Sequence, residues 1–265
     1  MAKITAVIIT KNEAHNIAKC LSALQSVTDD MLVVDSFSTD KTKAIAEENG
    51  ARVIQKEWEG YAKAKNYANS KAYHDWILSV DADEVLSNEL IKTIQKLRVA
   101  SGTVYALDRI NNFCGQWIKH SGWYPDWKVR LFNRNEVYWV GAYVHEKLKY
   151  PSNYEVKKLS GKLYHYSYAT LEDHKKRIET YSQLAAEDML ASGKEASFIK
   201  MYLSPVGRFL KTLFLKMAFL DGKNGWIISS RNAWLVYLKY RKLGVLLKAK
   251  KDGRPKTEDG SFPQT

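Results

Sequence analysis

The chain of 265 residues has only two cysteines, Cys20 and Cys114, and no long apolar run. Two scattered cysteines are too few for a disulfide scaffold or a zinc site. A spanning helix needs about 18 consecutive apolar residues, and no stretch reaches that length. Lys11, Asn12 and Glu13 interrupt the first apolar run, so it does not resemble a signal sequence. We therefore expect a cytoplasmic protein.

Glycine-rich nucleotide motifs are also missing. No Gly-x-Gly-x-x-Gly follows the first apolar run, and no Gly-x-x-x-x-Gly-Lys-Ser/Thr occurs in the chain. The sequence therefore supports neither a conventional dinucleotide site nor a P-loop. Internal repeats and low-complexity tracts are absent too. With 45% hydrophobic residues, the chain can still bury a sizeable core.

The first hundred residues alternate predicted strands and helices. Apolar, β-branched runs predict four strands, over residues 4–10, 31–35, 52–55 and 76–80. Helices are predicted after caps at Asn12, at Thr39 or Asp40 and at Ser87, and over residues 61–72. This β-α-β-α order requires right-handed crossovers, and it predicts an α/β fold with a mainly parallel sheet.

Asp81 and Asp83 follow the fourth predicted strand, one residue apart. In an extended segment, residues i and i+2 point to the same side, so both carboxylates are expected to face one ligand. Carboxylate oxygens are hard ligands that suit Mg²⁺ or Mn²⁺ carrying a diphosphate. The alternative is that Asp81 begins a turn and that both acids are solvated.

Polar side chains also follow the first two predicted strands. Thr10 and Glu13 come after the first strand, and Asp35 ends the second. Ligands of open α/β sheets bind beyond the carboxyl ends of the strands, so we expect these groups to converge with the acids after the fourth strand. Asp35 can accept hydrogen bonds from a nucleobase or ribose, or it can form a turn before Ser36.

Four segments, in this order, resemble the motifs of family 2 inverting glycosyltransferases: residues 8–13, 33–42, 62–68 and 81–83. The resemblance covers about residues 3–150. It implies a GT-A fold, with a nucleotide-sugar-binding half over residues 1–100 and an acceptor-binding, catalytic half over residues 101–168. It also implies that Thr10, Glu13 and Asp35 contact the uridine of a UDP-sugar. Lys65 would lie near the nucleotide, Asp81 near the ribose, and Asp83 on the Mg²⁺ or Mn²⁺ ion.

The second half resembles a narrower bacterial branch, which adds glucose or a related sugar to the inner core of lipopolysaccharide. The similar segments are residues 122–132, 139–141, 144–146, 163–168 and 221–226. Within this branch, the similarity is greatest to β-1,4-glucosyltransferases that act on the first heptose. The resemblance therefore implies a lipopolysaccharide core glycolipid as acceptor. The nearest alternative is transfer to another lipid-linked acceptor, such as a capsule or polyprenyl intermediate.

Inversion at a sugar carbon requires a base that takes the proton of the acceptor hydroxyl. Asp126 is predicted to be this base, because it occupies the place of the family's acceptor-side acid among aromatic residues that can stack on sugars. The alternative is a turn-forming Asp after Pro125, and Glu146 is the rival base. The surrounding aromatic side chains, such as Trp123 and Trp127, can equally fill the core.

Two further residues of this half are candidates for the donor site. His145 follows a predicted strand, and its imidazole could complete the metal site begun by Asp83, or it could be structural. Arg130 could pair with the diphosphate, or it could order its loop.

Nearly all of the net charge of +12 lies near the end of the chain. Residues 206–256 contain 13 Lys and Arg against Asp221 and Asp252. We expect a basic helical extension over residues 169–250 that faces the anionic inner surface of the cytoplasmic membrane, with Trp226 or Trp234 near the headgroups, followed by a mobile tail over 251–265. Packed helices with solvated lysines are the alternative. A nucleic-acid-binding protein is a distant one, because no recognition motif accompanies the charge.

Overall fold

The computed structural model describes residues 3–141 and 146–252. The chain divides into two compact units. The first contains the residues up to Asn111 together with Pro125–Ser167, and the second contains Asn112–Tyr124 together with the residues from Tyr168 onward. Within the described ranges, no helix is both long enough and apolar enough to cross a membrane.

Four parallel strands open the first unit, close to their predicted positions. They are β1 (Ile4–Thr10), β2 (Asp30–Asp35), β3 (Arg52–Gln55) and β4 (Trp76–Ser79), in the spatial order β3-β2-β1-β4. The helices between them are α1 (Ile17–Leu24), α2 (Thr42–Glu48) and α3 (Tyr61–Ser70). The predicted α/β fold with parallel strands is confirmed. Because Thr10 pairs with Asp35, these two residues share the carboxyl edge of the sheet.

Later strands extend this sheet in antiparallel fashion. These strands are β5 (Glu84–Leu86), β6 (Thr103–Phe113), β8 (Asp126–Asn133) and β11 (Glu155–Tyr168). Helix α4 (Asn88–Lys96) lies between β5 and β6 in the sequence, and the short strand β7 (Gln116–Ile118) belongs to the second unit. The order continues from β4 as β8-β6-β11-β5, and β8 runs antiparallel to both β4 and β6. Strands β9 (Tyr138–Val140) and β10 (Lys147–Lys149) form a separate antiparallel pair.

Apolar side chains cover both faces of the parallel strands. Ile8 belongs to one buried cluster with Leu21 and Leu78, whereas its neighbour Val7 belongs to another with Phe132. Successive residues of a strand point to opposite faces, so the continuous apolar run of β1 follows from burial on both sides.

The helix starts were predicted with mixed success. Ser87 caps α4, since its Oγ accepts the Leu90 N–H at 3.2 Å. The predicted cap at Asn12 is wrong, because α1 begins at Ile17 and Asn12 has a φ of 56°. Asn tolerates this left-handed conformation. Its Oδ1 accepts the Thr39 N–H at 2.8 Å, so Asn12 joins the loops after β1 and β2.

The start of α2 also differs slightly from the prediction. The residue before the helix is Lys41, which forms no side-chain cap, rather than Thr39 or Asp40. Asp40 nevertheless accepts the Thr42 N–H at 2.9 Å from just outside the helix. Its other carboxylate oxygen accepts the Ala14 N–H at 3.2 Å, which adds a second link between the two loops.

The second unit is helical and contains the basic extension predicted from the sequence. Helices α5 (Leu171–Ala191) and α6 (Phe198–Leu210) pack on α7 (Gly222–Lys251). A π-helical turn (Lys211–Leu215) and a 3₁₀ turn (Ala218–Asp221) connect α6 to α7. Met189, Leu243 and Leu246 are buried between α5 and α7. The tail was predicted from residue 251, but Lys251 still belongs to α7, and the residues beyond Asp252 lie outside the described range.

Residues 221–226, one of the segments that resemble the family, have a structural role in this unit. The buried Asp221 accepts the backbone N–H groups of Lys119 and His120 and the Ser121 hydroxyl, at 2.7 to 3.2 Å. A Cβ on Gly225 would lie 1.7 Å from the Ala218 carbonyl oxygen, so only glycine fits there.

Candidate active site

Thr10 and Asp35 form one part of the candidate site, at the carboxyl edge of β1 and β2. Asp35 is fully buried and accepts the Ser38 N–H at 3.0 Å and the Gln55 amide at 3.2 Å, as well as the Ser38 hydroxyl. Within the part of the chain that the structure describes, the buried Thr10 hydroxyl has no hydrogen-bond partner. A buried polar group without a partner is costly, and a polar ligand at this edge would remove that cost.

Glu13 lies in the loop after β1, which is tied to the loop after β2. Its carboxylate accepts the Asn16 amide at 2.9 Å, and its backbone N–H donates to the Thr42 hydroxyl at 2.8 Å. The loop that carries Glu13 is therefore held beside the strand end that carries Asp35.

Residues Asp81–Glu84 form a turn after β4, closed by a 2.9 Å bond from the Glu84 N–H to the Asp81 carbonyl. The extended geometry expected here is therefore wrong. Asp81 lies 2.6 Å from the Arg130 guanidinium and 3.2 Å from the Lys65 ammonium. Asp83 instead contacts His165. The two aspartates thus bond different partners within one turn.

Glu84, which sequence reasoning did not select, holds this turn. It is fully buried, and one carboxylate oxygen accepts the Asp81 N–H at 3.0 Å. The other accepts Arg130 at 2.6 Å and Arg109 at 3.1 Å. Burial of a carboxylate without partners is strongly unfavourable, so two guanidinium groups are the expected surroundings.

These contacts belong to a continuous network of alternating charge. It contains eight side chains, in the order Glu146, Lys65, Asp81, Arg130, Glu84, Arg109, Asp126 and Lys128. Successive members approach within 2.6 to 3.4 Å. Four carboxylates alternate with four Lys or Arg side chains, so the network has no net formal charge. It brings Lys65, Asp81, Arg130, Asp126 and Glu146, all selected from the sequence, into one connected set.

The network lowers the pKa of two of its carboxylates, Asp81 and Asp126. Burial would raise the pKa of Asp81, but the charges of Arg130 and Lys65 outweigh it and hold that pKa well below its usual range. Burial would likewise raise the pKa of Asp126, but Arg109 and Lys128 lower it. Both carboxylates are therefore ionised at neutral pH.

Arg130 and Asp126 are already engaged by protein partners. Arg130 spans Asp81 and Glu84, which supports the loop-ordering alternative raised from the sequence. Asp126 contacts Arg109 at 2.7 Å and Lys128 at 3.0 Å. Glu146 has one longer contact in the network, at 3.4 Å to Lys65.

His165 and Asp83 are the pair best suited to a divalent metal. The His165 Nε2 lies 3.1 Å from the Asp83 Oδ2, and Nδ1 lies 2.6 Å from the Asn111 Oδ1. Nδ1 also lies 2.9 Å from the Ser167 hydroxyl, so Nε2 is the ring nitrogen that faces the Asp83 carboxylate, and a metal held by both residues would replace this contact. The other predicted ligand, His145, lies outside the described residues.

The described residues contain no group of three or more His, Cys, Asp or Glu side chains that could hold a metal. Asp83 and His165 alone would supply two ligands. Such a partial set fits Mg²⁺ or Mn²⁺, which commonly take remaining ligands from substrate phosphates and water.

The aromatic residues divide between two roles. Trp123 packs in the core of the second unit, with ring centroids 5.7 Å from Phe113 and 5.9 Å from Tyr168. Trp127, in the first unit, is exposed, and the Lys158 ammonium lies 4.7 Å above its ring. Of the two, Trp127 is the exposed ring, and exposed indole rings can stack on sugars.

Sequence reasoning missed Glu84, Arg109 and His165 as site residues. Glu84 directly follows the Asp-Ala-Asp triplet, and His165 lies in a segment that resembles the family, so both carried a local signal. Arg109 carried none, because it meets Asp126 only through the pairing of β6 with β8.

Comparisons with known proteins identify the family. Residues 5–149 match the family model described as Glycosyl transferase family 2. An uncharacterized glycosyltransferase of Rickettsia felis is 33% identical, over 94% of this chain and 93% of its own length. The lipopolysaccharide core biosynthesis glycosyltransferase LpsC of Rhizobium meliloti is 26% identical, over 91% of each chain.

A solved structure, the glucosyl-3-phosphoglycerate synthase of Mycobacterium tuberculosis, aligns at 20% identity and a TM-score of 0.36. This alignment covers 42% of this chain and 44% of that one. Because the family model matches more than half of the chain and the Rickettsia relative is similar over nearly all of it, the chain belongs to glycosyltransferase family 2.

Proposed function

We propose that this glycosyltransferase is an inverting, metal-dependent hexosyltransferase that moves glucose from a UDP-sugar to a heptose of the lipopolysaccharide inner core. The observation that carries the donor half is the Asp83–His165 pair, which lies beside the neutral charge network at the carboxyl edge of the sheet. The acceptor half rests on the similarity to LpsC over nearly the whole chain.

The nucleotide would bind at the carboxyl ends of β1 and β2. The Thr10 hydroxyl has no partner among the described residues, and the Asp35 carboxylate is fixed by Ser38 and Gln55. Both can bond the polar edge of a uracil ring, with Glu13 in the adjoining loop. Lys65 and Asp81 would lie near the phosphates and the ribose.

Asp83 and His165 would hold a Mg²⁺ or Mn²⁺ ion together with the donor diphosphate. The bound ion would neutralise charge on the departing diphosphate. An imidazole ligand favours Mn²⁺ over Mg²⁺, since Mg²⁺ prefers an all-oxygen environment.

Asp126 would act as the base. It would take the proton of the acceptor hydroxyl as that oxygen forms its bond to the anomeric carbon and the bond from this carbon to the diphosphate breaks, with inversion. Arg109 and Lys128 keep Asp126 ionised, so they ensure that it can accept a proton. Glu146 is the rival, because it has a single, longer contact in the network.

The direct test is transfer itself. The protein is incubated with Mn²⁺ or Mg²⁺, a panel of UDP-sugars and a heptose-bearing lipid A core, and the product is analysed by mass. We expect a gain of one hexose with UDP-glucose, and no product from the Asp83→Ala variant. Transfer only to a polyprenyl-linked or capsule acceptor would contradict the lipopolysaccharide assignment. No transfer from any UDP-sugar would contradict the donor assignment.

A further inference from the structure

Helix α6 leaves its apolar side chains uncovered. No residue of this helix is buried, and Ile199 and Leu203 expose 69% and 65% of their surface. Of the 23 large apolar side chains exposed in the described residues, 12 lie between Phe198 and Trp226. Monomeric soluble proteins rarely expose so much apolar surface in one place, so this segment is expected to contact something apolar.

The exposed side chains of α6 follow helical spacing. Ile199, Leu203, Val206 and Leu210 of α6, with Phe214 of the π-helical turn that follows it, recur at intervals of three and four residues and are all exposed. Residues at this spacing share one helix face, so these five form a single row, here called the apolar stripe. The stripe continues into the π-helical turn, where Leu215 is 77% exposed.

Different side chains border the two sides of the apolar stripe. Lys200 and Lys211 lie on one side of the stripe, because each directly follows one of its members, Ile199 and Leu210. Both lysines are exposed. Tyr202 lies on the other side, with its ring centroid 6.2 Å from Tyr237, and Trp234 stacks on Tyr237 at 5.1 Å. An apolar row between lysines and aromatic rings is typical of helices that lie in a bilayer interface.

The charge around the stripe has one sign. Between Ser197 and Lys251 the chain has 12 Lys and Arg and a single acid, Asp221. That acid is buried and bonded to Lys119, His120 and Ser121, so it does not offset the basic surface. A second copy of the chain on this face would bring like charges together. An anionic lipid surface would instead complement both the charge and the apolar row.

We propose that the apolar stripe of α6 inserts into the headgroup region of an anionic bilayer and holds the enzyme at the membrane. This role rests on the proposed function, since a glycolipid acceptor lies in the membrane. The sequence predicts attachment through basic residues of 206–256 with Trp226 or Trp234 near the headgroups, whereas this proposal assigns the insertion to the apolar stripe. Apolar insertion persists when salt screens the charges, so salt weakens the attachment without abolishing it.

The test is co-sedimentation with vesicles of phosphatidylglycerol and phosphatidylcholine at low and high salt. The stripe variant carries Leu203→Gln, Leu210→Gln and Phe214→Gln. The matched control carries Val156→Gln, Leu171→Gln and Tyr181→Gln, which also change three exposed apolar side chains. We expect the wild type and the control to bind alike at low salt, and the stripe variant to bind at least about tenfold more weakly. Equal binding by the stripe variant would overturn the proposal.

Two further measurements keep the result decisive. A fluorophore that senses polarity, attached through Leu203→Cys in a Cys114→Ser background, should shift to the blue with vesicles, and the same label at Val156→Cys should not. No shift at position 203 would refute insertion even if the triple variant failed to fold. Sedimentation velocity tests the alternative that a second copy of the chain covers the stripe. A wild-type dimer that the stripe substitutions dissociate, without vesicle binding, would assign the stripe to a second copy.

Failure of this role is separable from failure of the proposed function. The stripe variant should keep wild-type affinity for UDP in Mn²⁺, because its substitutions lie outside the donor site. The Asp83→Ala variant should keep wild-type vesicle binding. Vesicle binding without any sugar transfer would leave the membrane role standing and reject only the acceptor assignment.

Discussion

His165 meets Asp83 through sheet register, although the two residues are 82 positions apart in the sequence. Antiparallel pairing of β11 with β5 sets His165 opposite Glu84, and the Tyr166 N–H donates to the Asp83 carbonyl at 2.9 Å. The backbone therefore fixes both ends of the 3.1 Å contact between imidazole and carboxylate. A pair held in this way is preorganised for a shared ion.

The first prediction follows from this pair. His165→Ala and Asp83→Ala should each weaken UDP binding about 10- to 100-fold in Mn²⁺, because each removes one of two protein ligands. With a chelator present, both should match the wild type. Isothermal calorimetry in the two conditions measures this difference, with His74→Ala as a histidine control outside the charge network. Equal Mn²⁺-dependent affinity in the His165→Ala variant would reject the ligand role.

The second prediction concerns the uridine end of the site. Asp35→Asn should weaken UDP binding by about tenfold both with Mn²⁺ and with chelator, because a hydrogen-bonding carboxylate is lost without any change at the metal. Asp30→Asn is the matched control, since Asp30 begins the same strand at the opposite edge of the sheet. If the Asp35→Asn variant lost affinity only in Mn²⁺, its role would lie at the metal.

The parallel half of the fold was predictable because its signals are local. Apolar runs set β1 to β4 within about one residue, and the alternation of strands with helices predicted that these strands are parallel. Asn12 shows the limit of such signals. Its type and position suit a helix cap, but Asn12 bonds to Thr39 in the neighbouring loop, and only the paired strands bring that loop close.

The charge network was only half predictable for the same reason. Lys65, Asp81 and Asp126 lie in segments that resemble the family, so their selection needed no knowledge of their neighbours. Arg109 acquires its role because the register of β6 and β8 sets it opposite Asp126. Pairings of this kind depend on contacts distant in sequence, which local patterns do not encode.

The third prediction identifies the base. Asp126→Asn keeps the shape of the side chain but cannot accept a proton, so the transfer rate should fall about 10²- to 10⁴-fold while UDP affinity is retained. Glu146→Gln is the paired variant and should retain most of the rate. Single-turnover transfer and calorimetry measure the two effects. Wild-type turnover by Asp126→Asn, with a large loss in Glu146→Gln, would reverse the assignment.

The fourth prediction tests Arg109 as a positioning residue. Arg109 and Lys128 lower the pKa of Asp126, so Arg109→Met should raise that pKa toward the ordinary value of an aspartate. The acidic limb of the rate profile should then move to higher pH, because Asp126 must be ionised to act. An unchanged limb in this variant would show that Arg109 does not control the base. Lys158→Met is the control, since Lys158 lies over Trp127 instead.

The last prediction concerns His174 in the second unit. Its ring is buried among Phe113, Trp123 and Tyr168, at centroid distances of 4.6 to 6.3 Å. Burial lowers the pKa of His174 to about 4, and the charges of Arg231 and Arg177 act in the same direction. The unfolded chain binds this proton near pH 6.5. The folding contribution of neutral His174 is therefore present above about pH 6.5 and is lost as the pH falls toward 4.

The stability of the wild type should accordingly fall by about 1–3 kcal/mol between pH 7 and pH 4.5 through this one residue. His174→Phe keeps an aromatic ring in the cluster but cannot take up a proton. The unfolding free energy of this variant should therefore fall less between pH 7 and pH 4.5 than that of the wild type. The difference between the two free energies should follow the titration of a single group. His15→Phe, at an exposed histidine, should retain the wild-type pH dependence. Parallel pH curves for the wild type and His174→Phe, from denaturant melts at each pH, would show that His174 does not titrate on unfolding.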